Sequence, residues 1–144
     1  MKLADRPVVL VVDDSLFVHG GVDMEHVGYG LERVNAETRA WLLGETEAQP
    51  GAIYKLGGES STLTWLRRYS DGEPTVEDCS EVSVVLDAIG VNRMVMGHTV
   101  QEGGITSACD GKVWRIDTGM SDHYQGPEQA LEIRGDQVRI VEGE

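Results

Sequence analysis

The feature that most limits the fold is an unbroken apolar run near the start of the chain, at residues 7–12. Its β-branched residues and the lack of polar alternation are typical of a strand buried on both faces of a sheet. Asp13 and Asp14 then predict a turn, and residues 15–19 predict a second strand that ends at Gly20-Gly21. The amino-terminal part of the chain is therefore expected to enter a sheet.

Two segments have helical patterns. Apolar residues between about positions 25 and 44 fall on one helical stripe, and Gly44 is a suitable C-cap. Thr75 and Asp78 have the spacing of a capping box and predict the start of a second helix, which Gly90 closes. Residues 45–61 show little periodicity and predict a long loop between the two helices.

The remainder of the chain predicts short strands and turns. Residues 93–96 are apolar and stop at a Gly-His-Thr sequence. Asp110-Gly111 and Gly135-Asp136 each lie between two strand-like segments and predict two β-hairpins. No repeat or linker divides the sequence, so residues 1–144 are predicted to form one α+β unit.

Composition excludes several classes of protein. The 144 residues include 25 acidic and 12 basic side chains, for a formal net charge of −13, which argues against a nucleic-acid binder. No apolar run approaches the roughly 20 residues of a membrane-spanning helix. Cys79 and Cys109 have no metal or redox spacing and suggest a reducing compartment. We therefore expect a cytoplasmic protein that binds neither nucleic acid nor membrane.

Two histidines stand at predicted strand ends beside glycine. His19 precedes Gly20-Gly21, and His98 follows Gly97. Glycine allows close approach of backbone and ligand, and loops at strand ends often hold ligands or metals. Neutral imidazole ligates zinc, manganese and iron. On the residues alone, a pair of metal ligands and a pair of ordinary histidines bonded to backbone both remain possible.

Other polar and aromatic residues have simpler predicted roles. We expect His26 to lie on or under its helix, His123 to be exposed, and Asp117 to cap a turn near the Gly-His-Thr sequence. Cys79 is expected to be a small core residue. The tryptophans are expected to anchor packing: Trp41, Trp65 and Trp114.

Two motifs resemble those of a known enzyme family. Phe-Val-His-Gly-Gly-Val at residues 17–22 and Val-Met-Gly-His-Thr-Val-Gln at residues 95–101 resemble the last two motifs of the metal-dependent phosphoprotein phosphatases. More specifically, they resemble those of the Shewanella-like protein phosphatases, in the calcineurin-like metallophosphoesterase superfamily. The similarity extends, in order, to residues 25–35, 65–70, 114–121 and 131–136, and so covers nearly the whole chain.

The resemblance implies roles for three residues. His19 and His98 would be two of the four protein ligands of the second of two divalent metal ions, which would be manganese, iron or zinc. Arg67 would bind the substrate phosphate, although a solvated surface arginine remains an alternative because Arg68 lies beside it.

The family's Gly-Asp-x-His-Gly, Gly-Asp-x-x-Asp-Arg-Gly and Gly-Asn-His-Glu motifs do not occur in this sequence. By resemblance, those motifs hold the first metal, the bridging carboxylate, the asparagine ligand and the acid histidine. No catalytic set is therefore complete in this chain.

Residues 1–144 are thus predicted to be the C-terminal half of the metallophosphoesterase β-sandwich with flanking helices. The resemblance implies a metal-dependent phosphoric monoester hydrolase of the serine/threonine protein phosphatase type, acting on a phosphorylated substrate, whose isolated half is inactive. The alternatives are a non-catalytic, self-associating module with a weak metal or phosphate site, and a structural fragment without activity. A half sandwich exposes an apolar sheet face, so we expect a homodimer or a partner chain that supplies the N-terminal half.

Overall fold

A computed structural model describes residues 3–54 and 61–143 of the chain. After a 3₁₀ turn at Leu3–Asp5, the strands and helices follow in this order: β1 (Val9–Val12), β2 (Ser15–Val18), α1 (Met24–Tyr29), α2 (Leu31–Leu42), α3 (Gly51–Tyr54), α4 (Val76–Ile89), β3 (Arg93–Met96), β4 (Thr106–Ala108), β5 (Val113–Arg115), β6 (Gln129–Arg134) and β7 (Gln137–Glu142). This mixture of helices and strands agrees with the predicted α+β class. Part of the predicted loop, residues 55–60, lies outside the described residues.

Five strands form one mixed sheet in the order β1-β2-β3-β5-β4, while β6 and β7 pair separately. Strand β2 pairs in parallel with β3, and β3 in parallel with β5. The β1–β2 and β4–β5 pairs are antiparallel. The four α-helices of the described residues lie between β2 and β3 in the sequence, so the central parallel pair is joined by one long crossover.

The prediction that β1 is buried on both faces is wrong. β1 is an edge strand that pairs with β2. Val9 is buried, but Leu10, Val11 and Val12 are 44–47% exposed. Asn35 of α2 bonds part of the free edge, accepting from the Val8 and Val9 amides at 2.8 and 3.1 Å and donating to the Val9 carbonyl at 2.8 Å. The apolar run therefore forms a strand, but the last three residues of that strand are exposed to solvent.

The first predicted helix is divided into α1 and α2 at Gly30, whose φ of 101° is outside the helical region. A glycine adopts this conformation without steric cost, which explains why the apolar stripe does not continue as one helix. The prediction for α4 is confirmed: Thr75 and Asp78 form the reciprocal capping box, and Gly90 ends the helix in the left-handed conformation. Gly135-Asp136 also forms the predicted two-residue turn, between β6 and β7.

The two cysteines are joined in a disulfide between α4 and the β4–β5 turn, Cys79 to Cys109. Cys79 is half-buried and disulfide-bonded, so the expectation that it is simply a small core residue is wrong. Disulfides are rare in reducing compartments, so the bond weighs against the interpretation that the cysteines indicate a reducing cytosol. The β4–β5 loop has four residues instead of the predicted two, and Cys109 and Asp110 both have positive φ there.

Helices pack on one face of the large sheet, and the β6–β7 hairpin lies on the other. Leu16 and Val18 of β2 and Met94 and Met96 of β3 belong to a buried core that includes residues of α2 and α4. Because side chains alternate across a strand, Phe17 and the other intervening residues lie on the opposite face. There the β6–β7 hairpin and the sheet enclose an apolar groove of 660 Å³. In the described part of the chain, no helix has the length and apolarity to cross a membrane.

Candidate functional site

The parallel pairing of β2 and β3 brings the two strand-end histidines together. Val18 lies opposite Met96 in the register, and the Gly97 amide donates to the His19 carbonyl at 2.9 Å. His19 Nε2 is 3.0 Å from His98 Nδ1. The two imidazoles are 79 residues apart in sequence, and the ends of neighbouring parallel strands bring them together edge to face, with ring centroids 4.8 Å apart.

The glycines of the His-Gly-Gly sequence have a structural role at this site. A Cβ on Gly20 would lie 2.8 Å from the Leu63 carbonyl oxygen and 3.0 Å from the Leu66 amide nitrogen. The Gly20 amide itself donates to Leu63 O at 2.9 Å. The missing side chain therefore lets the segment that carries Trp65 and Arg67 pack directly on the end of β2.

Gly97 has no comparably close neighbour among the described protein atoms. A Cβ there would meet its nearest neighbours at 3.8 Å, which is ordinary van der Waals contact.

Trp65 borders the histidine pair and is not the packing anchor that was predicted. Its side chain is 58% exposed. The Trp65 and His98 rings meet edge to face, with centroids 5.2 Å apart. Trp41 and Trp114 are half-buried, in better agreement with a packing role.

Arg67 lies in the same site, held by a residue to which the sequence assigned no role. Its Nη1 donates to Thr99 Oγ1 at 3.1 Å, and the side chain is otherwise exposed. Thr99 directly follows His98, so one short segment contributes an imidazole and the hydroxyl that contacts the arginine. In the sequence, Thr99 could have been recognised as a candidate by its position as the polar residue that follows the strand-end histidine.

His98 has an unusual environment for an imidazole. Its backbone has a φ of 65°, and its Nε2 is buried without a hydrogen-bond partner among the described residues. Burial, then the positive charge of Arg67 and the nearby His19, hold the pKa of His98 below its ordinary value, while Asp117 opposes the shift. These surroundings favour neutral imidazole, which is the form that binds metal.

The other candidate residues have structural roles that agree with prediction. Asp117 Oδ1 accepts from the Gly119 amide at 3.2 Å and so caps a turn. His26 is 1% exposed, and its Nδ1 accepts from the Asp23 amide at the start of α1. His123 is exposed beside Tyr124.

The histidine pair fits part of a metal site. Two ligand nitrogens each about 2.1 Å from one cation would be about 3.0 Å apart at the right angle of an octahedral site and about 3.4 Å apart at the tetrahedral angle that zinc favours. The observed separation is 3.0 Å, which equally suits a hydrogen bond between a donor and an acceptor ring in the absence of metal. Within residues 3–54 and 61–143, no group of three or more His, Cys, Asp or Glu side chains could hold a metal ion. The two imidazoles are therefore suitable ligands that do not by themselves complete a site.

Comparison with known proteins identifies relatives along nearly the whole chain, although no protein-family model matches it. It is 45% identical over 142 residues to Shewanella-like protein phosphatase 2 of Arabidopsis thaliana, covering 96% of this chain and 36% of that protein. It is 27% identical over 123 residues to Shewanella-like protein phosphatase 1 of Plasmodium berghei, covering 83% and 34%. A cold-active protein-tyrosine phosphatase of a psychrophilic Shewanella species has a similar structure, with a TM-score of 0.73 at 23% identity, covering 96% of this chain and 41% of that one.

The mixed sheet and its helices thus have a fold found in solved protein phosphatase structures. By sequence, the chain belongs to the Shewanella-like protein phosphatases. It spans about a third of the length of these curated relatives.

Proposed function

We propose that this chain is the part of a metal-dependent phosphoric monoester hydrolase, of the protein phosphatase type, that supplies one side of the metal site and a phosphate-binding arginine. The observation that carries the proposal is the contact of His19 Nε2 and His98 Nδ1 at 3.0 Å, with Arg67 held next to His98 through Thr99. The substrate class is a phosphorylated protein side chain, by analogy with the relatives that are named protein phosphatases.

In this proposal His19 and His98 hold a divalent manganese, iron or zinc ion. The metal would supply Lewis-acid stabilisation of the phosphoryl oxygens and of an attacking oxygen. The exposed N–H groups of Arg67 would bind phosphoryl oxygens through charge-assisted hydrogen bonds. Neither histidine can also act as the proton donor while it ligates, and the described residues hold no carboxylate to complete the metal site. The isolated chain is therefore not expected to turn over phosphate esters.

The missing groups belong, in this proposal, to a segment or partner chain that corresponds to the N-terminal part of the relatives. Two observations support this. The relatives are much longer than this chain, and the sheet face opposite the helices is apolar and incompletely covered. On that face Leu10, Val12 and Ile116 are 37–47% exposed, and a second layer over them would remove apolar surface from water. A homodimer would also cover this face, although it would not provide the absent carboxylates.

The main alternative is a self-associating module without catalysis. It is favoured by the same exposed face together with the incomplete ligand set. In that case the histidine pair would be a weak metal site, and a second copy of the chain would cover the sheet. Light scattering over micromolar concentrations distinguishes the two: a concentration-dependent dimer supports the module, and a monomer argues for a different partner.

The central experiment measures manganese binding by electron paramagnetic resonance and hydrolysis of an aryl phosphate by the same purified chain. We expect weak manganese binding that is lost in His19→Ala and His98→Ala but kept in the exposed control His123→Ala. We expect no hydrolysis above the His98→Ala background. Manganese binding that does not depend on either histidine contradicts the proposed site. Strong hydrolysis that His98→Ala abolishes would show that this chain needs no other part.

A further inference from the structure

We propose that Thr99 is a positioning residue that holds the guanidinium of Arg67 beside His98 in an orientation ready for an oxyanion. This inference rests on the proposed role of Arg67 in binding phosphate. It assigns to Thr99 a role beyond that of a residue that merely follows a ligand.

Thr99 contacts Arg67 directly and is anchored by a buried serine. Arg67 Nη1 donates to Thr99 Oγ1 at 3.1 Å, and Thr99 Oγ1 is 2.7 Å from Ser70 Oγ. Ser70 is 1% exposed, so the hydroxyl pair is anchored at its inner end. Since Oγ1 accepts from the guanidinium, a second lone pair or its own proton remains for Ser70. Among the described residues this contact engages Nη1 and leaves Nε and Nη2 of the exposed arginine for a ligand.

Thr99 is itself held in place by hydrogen bonds to its backbone. Gln101 Nε2 donates to the carbonyls of Thr99 and Ser70, at 2.9 and 3.1 Å. Gln101 Oε1 accepts from Thr106 Oγ1 at 3.3 Å, and Thr106 in turn accepts from Arg115 Nε at 2.8 Å. Arg115 is 4% exposed in β5. The hydrogen bonds thus connect the exposed guanidinium to a buried strand of the sheet.

This arrangement reduces the entropy that Arg67 loses when it binds a ligand. A long, exposed arginine samples many rotamers, and binding a ligand must select one of them. The hydroxyl of Thr99 restricts that choice before the ligand arrives, on the same segment that carries His98. A hydrogen bond from a charged donor is stronger than a neutral one, so the loss of this hydroxyl should weaken phosphate binding measurably.

The test compares Thr99→Val, which keeps the shape but removes the hydroxyl, with Thr99→Ser, which keeps the hydroxyl. Affinity for inorganic phosphate is measured by calorimetry on the full chain with manganese present, in the wild-type and Arg67→Ala backgrounds. We expect Thr99→Val to weaken binding about tenfold and Thr99→Ser to retain most of it. In the Arg67→Ala background, Thr99→Val should cause no further loss. An equal loss in both backgrounds, or an equal loss from the serine and valine variants, overturns the proposal because it indicates a merely structural role.

A second measurement does not depend on phosphate. Nitrogen-15 NMR of the Arg67 side chain should show hindered rotation about the Cζ–Nη1 bond in the wild type and in Thr99→Ser, and averaged Nη signals in Thr99→Val. If the chain binds no phosphate, the proposed function fails, while this comparison still decides the positioning role. Averaged signals already present in the wild type would refute it.

Discussion

Reduction of the Cys79–Cys109 disulfide should destabilise the chain substantially. The bond connects α4 to the β4–β5 turn and closes a loop between residues 30 positions apart. In the chain-entropy description, a loop of this length restricts the unfolded state by about 12 cal/mol/K, or about 3.6 kcal/mol near 25 °C. Domains of this size have unfolding free energies of about 5–15 kcal/mol, so the bond contributes a large share.

The assay is urea denaturation followed by circular dichroism, with and without dithiothreitol, while free thiols are counted in parallel. A loss of about 3.6 kcal/mol corresponds to a midpoint lower by about 2 M at a slope of about 2 kcal/mol/M. The Cys79→Ser, Cys109→Ser double variant is the control. It should resemble the reduced protein and should not respond to dithiothreitol. A reduced chain with two titrated thiols and an unchanged midpoint would refute the reasoning.

Three further predictions address the site and helix α4. Gly20→Ala should destabilise the chain and displace the Arg67 segment, because the new Cβ at position 20 would lie 2.8 Å from a backbone oxygen. Gly97→Ala should be tolerated, and thermal unfolding of the two variants checks the difference. His98 should titrate below 6.5 by NMR, and its pKa should rise in Arg67→Met. Between the lowered pKa and about 6.5, the unfolded chain binds the proton more readily than the folded chain. The unfolding free energy should therefore rise with pH over that range. Thr75→Ala should cost about 1 kcal/mol in urea denaturation through loss of the α4 cap, and Thr75→Ser should recover it.

Helix caps, strands and turns that depend on neighbouring residues were predicted correctly at several positions. The capping box at Thr75, the strand at Arg93–Met96 and the Gly135-Asp136 turn all follow from short-range rules and are found in the structure. Gly30 lies within the predicted helix and marks the place where the helix breaks. The sequence did not predict the break, because a glycine inside an apolar stripe does not show which φ it adopts.

Long-range features were less accessible. The pairing of Cys79 with Cys109 depends on how α4 lies against the β4–β5 turn, and no spacing rule encodes it. The solvent exposure of β1 could not be predicted, because an apolar run has the same sequence pattern in an edge strand and in a central strand. For the site, strand ends and glycines pointed to His19 and His98, whereas the contact of Arg67 with Thr99 requires the docking of residues 62–66 on Gly20.

The long crossover between β2 and β3 has a consequence for the order of folding. The histidine contact joins positions 79 residues apart, and the α-helices that the structure describes lie between them. Closing so large a loop costs entropy before any contact compensates for it, and chains dominated by such pairings fold slowly. The imidazole pair should therefore form late in folding, after the local helices, and manganese affinity recovered during refolding would be a kinetic marker of the final step.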